Sequence, residues 1–144
     1  MSSRDPYFLT HKELVGRLRS SDPVTISEAA REFGKRRPGP EIRAELRNLL
    51  SHHSPLVRTA AIGACANLDD RSAITDISNL LSNKSETRGV RETAAYALGV
   101  FGAAESRDLL LAVIAETNAY VGSEILNKLS REAAEVISLR RRIL

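Results

Sequence analysis

A chain of 144 residues fits one domain, and 42% hydrophobic residues suffice for a continuous core, while 4% aromatics and no Trp make that core Leu, Ile, Val and Ala. A net charge of +3, from 21 basic and 18 acidic residues, permits a nucleic acid partner without arguing for one. Cys65 stands alone and excludes an intrachain disulfide, the opening MSSRDPYFLTHKEL lacks the apolar run of a signal peptide, and no segment reaches membrane-span length, so the expectation is a soluble cytoplasmic protein.

The first element is announced by LTHKEL, where Thr10 and Glu13 form a capping box and Leu9 and Leu14 a hydrophobic staple; the helix runs over about 11–20 and buries Leu14, Val15 and Leu18. Asp22-Pro23 reads as N-cap and first-turn proline for a helix with Ile26, Ala29, Ala30 and Phe33 on one face. RRPGP ends it. Pro40 then opens a helix that presents Ile42, Leu46, Leu49 and Leu50. Ser54-Pro55 starts the next, with Val57, Ala60, Ala61, Ala64, Cys65 and Leu68 on one stripe; a strand would put Arg58 on the same face as Ile62 and Ala64. A helix over about 71–82 presents Ile74, Ile77, Leu80 and Leu81. After SNKSETRG, another presents Val90, Ala94, Ala97, Leu98 and Phe101 and stops at Gly102. Its partner presents Leu110, Val113 and Ile114. Two final helices are expected over about 119–129, carrying Val121, Ile125 and Leu129, and 131–143, carrying Ala134 and Ile137, with Leu144 just beyond.

The elements repeat. The Val-Arg pairs at 57 and 90 stand 33 residues apart, as do Leu80-Leu81 and Val113-Ile114, so both helices of a pair recur together. A period in the thirties with two helices per copy predicts an all-α solenoid of stacked antiparallel helix pairs: about four pairs plus an N-terminal helix, in a single domain over 1–144.

VRxxAxxALGxxG followed by a second helix ending in two aliphatics resembles the HEAT-like repeat of the phycobilisome lyase type. The match is close at Val90, Arg91, Ala94, Ala97, Leu98, Gly99 and Gly102. In the preceding copy Val57, Arg58, Ala61, Ala64 and Leu68 hold, with Ala66 and Asp69 in the places of Gly99 and Gly102. The best copies are about 54–86 and 87–118. The small residues at 94, 95, 97 and 99 are expected to let the two helices of a pair approach closely. Arg58 and Arg91 sit early in their helices, against the helix dipole, so each needs compensation; in repeats of this type the arginine reaches an acidic or carbonyl group of the adjacent copy.

No motif carries catalysis. His52 and His53 are adjacent rather than at metal-ligand spacing, His11 reads as a surface residue, and Cys65 falls on a buried stripe, so neither a cofactor nor an enzyme is expected from the residues. Two basic clusters end helices, Lys35, Arg36 and Arg37 and then Arg140, Arg141 and Arg142; the helix dipole accounts for both, and a phosphate-contacting strip is the alternative. Tyr7, Tyr96 and Tyr120 are too scattered to stack single-stranded bases.

Laying the second helices over one another gives the columns Glu45, Asp76, Leu109 and Arg47, Ser78, Leu111, off the core stripe, on the face that the resemblance to HEAT-like stacks implies lines the concave side. Both columns turn apolar in the third copy. Leu109 and Leu111 either pack under the last helices or stand exposed as a binding patch. The expectation is a small protein-interaction module, an adaptor, complex subunit or immunity-type inhibitor. It would use a groove lined by Arg43, Arg47, Asp76, Asn79, Arg107, Leu109 and Leu111, with a homodimer as a further possibility. A bilin lyase or chaperone-like subunit, implied by the resemblance, and backbone-driven nucleic acid binding are the alternatives.

Overall fold

Side-chain caps and prolines set most of the helix starts. The Thr10 hydroxyl accepts the Glu13 backbone N–H at 3.2 Å while the Glu13 carboxylate reaches back to Thr10, which closes the capping box. Asp22 accepts from the Thr25 N–H at 3.0 Å ahead of Pro23. Ser54 occupies the cap position before Pro55, yet its hydroxyl makes no capping bond. Instead, its own N–H donates to His52 Nδ1 at 3.0 Å.

A computed structural model describes residues 8–118 and 122–143. Among the described residues there are eight α-helices and no strands: α1 (His11–Leu18), α2 (Pro23–Arg36), α3 (Pro40–Asn48), α4 (Pro55–Asn67), α5 (Ile74–Ser82), α6 (Arg88–Phe101), α7 (Arg107–Thr117) and α8 (Glu124–Ile143). Short 3₁₀ turns, Arg71–Ala73 and Ala104–Ser106, lead into α5 and α7. The fold is an all-α solenoid, and contacts divide the chain into two compact units, Met1–Asp70 and Arg71–Leu144.

In the first unit α2 packs on α4 and α1 on α2. Ala29, Ala30 and Phe33 of α2 and Val57, Ala60, Ala61, Ala64 and Cys65 of α4 are buried, and deleting a buried ring such as Phe33 costs about 3–5 kcal/mol in cores of this kind. The helices approach closely at Gly34, where an added Cβ would lie 3.0 Å from Ala64 Cα. Asp69 follows α4 at φ 48°, and Gly102 ends α6 at φ 63°. The aspartate thus adopts the left-handed conformation for which the better-preserved copy uses glycine, and Asp is among the few residues that tolerate it.

In the second unit α6 packs on α5 and α8, and α7 packs on α8. Val90, Ala94, Ala97, Leu98 and Phe101 are buried as their spacing predicts. Gly99 acts differently from the expectation. A Cβ on Gly99 would meet Ala133 Cα and Cβ at 2.9 Å, so the glycine admits the following first helix, α8, rather than the second helix of its own pair.

The chain end also departs from the sequence reading. A single helix, α8, replaces the two expected over about 119–129 and 131–143, so α8 packs on α6 and α7 without a second helix of its own pair among the described residues. Ser130 lies between the two expected helices, and α8 runs straight through it. Its hydroxyl donates to the Leu126 carbonyl one turn back at 2.8 Å, and the fully buried side chain caps nothing. The shifted register moves Ile125 from the expected core face into solvent, 59% exposed, and puts Leu126 in the core with Ala133, Ala134 and Ile137. Val121 and Leu144 lie outside the described residues.

Candidate functional site

The motif arginines find their partners. Arg91 is 7% exposed, and its Nε donates to the Leu81 carbonyl at the end of the preceding α5 at 2.8 Å. Its two terminal nitrogens form a bidentate pair with Glu116 of α7 at 3.1 Å each. That hydrogen-bonded pairing holds the Glu116 carboxyl below its ordinary range. Arg58 repeats the carbonyl half of the arrangement, with Nη1 donating to the His52 carbonyl at 2.7 Å. Both arginines therefore brace the preceding helix end, and their positive charge is used inside the fold.

The second-helix residues of the first unit are similarly engaged. Arg43 donates to the carbonyls of Pro38 at 3.0 Å and Leu68 at 3.3 Å, so it caps the C-terminal end of α4. Arg47 pairs with the buried Asp70. Glu45 is clamped by Arg19 at 2.9 and 3.1 Å, and the hydrogen bonds lower its carboxyl pKa. These side chains spend their polar groups on their own unit.

The second unit leaves more of this face open. Asp76 and Asn79 are exposed on α5. Arg107 is half-buried, and its Nε donates to the Ser138 hydroxyl of α8 at 3.2 Å. The two leucines separate: Leu109 is half-buried, and Leu111 is 41% exposed. Leu111 belongs to the run LLLAVIA at 109–115, apolar around the whole circumference of α7. Leu110 and Val113 take the core side, while Leu111, Ala112 and Ala115 face outward. A helix with an apolar outer face departs from the amphipathic pattern of a surface helix.

The basic clusters are divided by the fold. Arg36 donates to the Leu9 carbonyl at 2.7 Å and to Glu32 at 3.0 Å, and Arg140 donates to the Phe101 carbonyl at 3.2 Å, beside Arg71 at 2.9 Å. Lys35 and Arg37 at one helix end, and Arg141 and Arg142 at another, remain exposed. His52 stacks on His53 with ring centroids 4.2 Å apart. Desolvation first, then the charges of His53 and Arg58, lower the His52 pKa. His11 packs edge-on against Phe33 at 5.6 Å, and Cys65 is buried. Among the described residues no group of three His, Cys, Asp or Glu could hold a metal, and no helix is long and apolar enough to cross a membrane.

One surface escaped the sequence reading. Between α6 and α8 lies an open cavity of about 390 Å³ bordered by Tyr96, Val100, Leu129 and Val136, with Glu132 and Arg140 at its edges. Tyr96 is 59% exposed and Val100 41%. Only the continuity of α8 brings Leu129, Glu132, Val136 and Arg140 onto one face, at spacings of 3 and 4 residues.

The chain matches the family described as HEAT repeats over residues 12–88 and the PBS lyase HEAT-like repeat over residues 90–116. No curated protein matches it. Among solved structures, the crystal structure of an engineered protein is similar in fold, with a TM-score of 0.62 at 21% identity. The match covers 88% of this chain and 61% of that one, so this chain spans about three fifths of the engineered protein's length.

Proposed function

The chain belongs to the HEAT-repeat proteins, whose repeats are generally protein-interaction scaffolds, and from that premise we propose that it is a small non-catalytic binding module, an adaptor or inhibitor, that captures another protein on the α5/α7 face. The observation that carries this reading is the outward apolar side of α7. Leu111, Ala112 and Ala115 lie exposed where the equivalent column of α3 and α5 is polar. Leu111 is the anchor, and half-buried Leu109 supports it from the packed side. Asp76 and Asn79 supply the polar rim that a protein interface sets around such an anchor.

Arg107 is held by Ser138, so it shapes the edge of this face. Arg43 and Arg47 serve the first unit as braces and are not needed by the reading. A duplex or single-strand partner is disfavoured, because an apolar anchor gains nothing from a phosphate backbone.

The test is Leu111→Asp. The protein captured from the source cell by the wild-type chain is purified and titrated against both forms. The substitution is expected to weaken binding at least ~30-fold, about 2 kcal/mol for a central anchor, with helicity and melting temperature unchanged. Equal affinity of both forms would overturn the proposal, as would a melting temperature that falls with the affinity, since that would place Leu111 in the core.

A further inference from the structure

The α6/α8 cavity has a charge arrangement that the binding reading does not use. On α8, Ile125, Val136 and Leu139 are exposed at 59, 37 and 48%, and Tyr96 and Val100 of α6 continue the apolar surface. Glu132 and Arg140 sit on the same face, each four residues from Val136 and therefore about 6 Å away along the axis in opposite directions. No ion pair joins Glu132 to another described residue. Arg140 gives Nη1 to the Phe101 carbonyl, which leaves its remaining donors for another acceptor.

We infer that the occupant of this groove is a second copy of the chain, whose α8 lies antiparallel across the first about a two-fold axis at Val136. Such an axis exchanges positions four residues before and after its centre. Glu132 of each copy then stands opposite Arg140 of the other, giving two reciprocal ion pairs around a Val136 to Val136 contact. An interface of this kind must be self-complementary, and an acid and a base equally spaced about an apolar centre meet that condition. A face of one sign would repel its own copy.

Tyr96 and Val100 flank the crossing, and Leu129 and Leu139 extend the apolar contact along α8. With the axis at Val136, only positions 129–143 of the helix face one another, so the shared length is about 21 Å and the association is modest.

Sedimentation velocity of the full chain tests the inference, over concentrations from about 1 μM to about 1 mM. A reversible monomer–dimer equilibrium is expected, and Glu132→Arg should raise its dissociation constant at least ~10-fold by setting like charges opposite each other. Because Glu132 is exposed, its replacement should leave the melting temperature unchanged at concentrations where the chain is monomeric. Position is tested by Val136→Cys and Ile125→Cys with a short bis-maleimide, since the native Cys65 is buried. The thiol of the Val136→Cys variant sits on the axis and should give a covalent dimer. That of the Ile125→Cys variant lies away from its own counterpart and should not. A monomer at every concentration, a dimer indifferent to Glu132→Arg, or cross-linking at 125 rather than 136 would each overturn the proposal.

Discussion

Arg91 is a cation in the first turns of a helix, where the dipole opposes it, and it is nearly buried. It is tolerated because the Leu81 carbonyl and both Glu116 oxygens satisfy its guanidinium. Removing one partner of such a pair leaves the other desolvated and unpaired. Glu116→Ala is therefore expected to cost about 3 kcal/mol, the lower end for a buried pair because the Glu116 side chain keeps 21% exposure. Arg91→Met with Glu116→Leu should recover most of it, since neither charge is then stranded, and urea denaturation of the two variants measures the difference. The sequence makes the need for a partner legible, because the misplaced charge is visible in VRETAAYALG. Which carboxylate answers it is not legible, since Glu116 is 25 residues away and becomes a neighbour only when α7 has folded back.

Helix packing separates glycines that look alike in the sequence. Gly63 lies inside α4 with nothing within 4 Å of a Cβ, whereas Gly99 lies inside α6 with Ala133 at 2.9 Å. Gly63→Ala should stabilise the fold by about 0.5–1 kcal/mol through helix propensity. Gly99→Ala gains the same term and must push α8 outward, at about 1–3 kcal/mol for overpacking, so its melting temperature should fall while that of Gly63→Ala rises. Helix starts are legible at Thr10 and Asp22 because the capping residues are local. The unbroken α8 is not, because Ser130 between the two expected helices turns its hydroxyl back to the Leu126 carbonyl inside the core, and the packing of α8 decides that burial.

Across the molecule, titration acts in two stages. The fold lowers the His52 pKa from an ordinary 6.5, so as pH falls below that value the native state resists a proton that the unfolded chain accepts, and the first loss of stability begins there. The carboxyls of Glu45 and Glu116 are lowered from 4.5 by their arginines; their stabilisation is present above that value and disappears as pH falls through their folded values. Melting temperature should decline slightly below pH 6.5 and more steeply below pH 4.5. Glu116→Gln should flatten the second limb, as a thermal-melt series in matched buffers will report. The architecture is legible because it rests on a repeated period, which survives weak individual matches. The apolar outer side of α7 is also legible, from comparing columns between copies. The α6/α8 groove is not, since Tyr96 and Val100 of α6 meet Leu129, Glu132 and Val136 only through the packing of α8 on α6, which no local pattern shows.

The carbonyl of Phe101 is held by Arg71, 30 residues earlier, and by Arg140, 39 residues later. During synthesis the two donors arrive at different times. When Phe101 leaves the ribosome Arg71 is already out, so the end of α6 can be tethered while α7 is still emerging; the second tether waits until almost the whole of α8 has been made. Order of synthesis therefore makes Arg71 available to this carbonyl before Arg140.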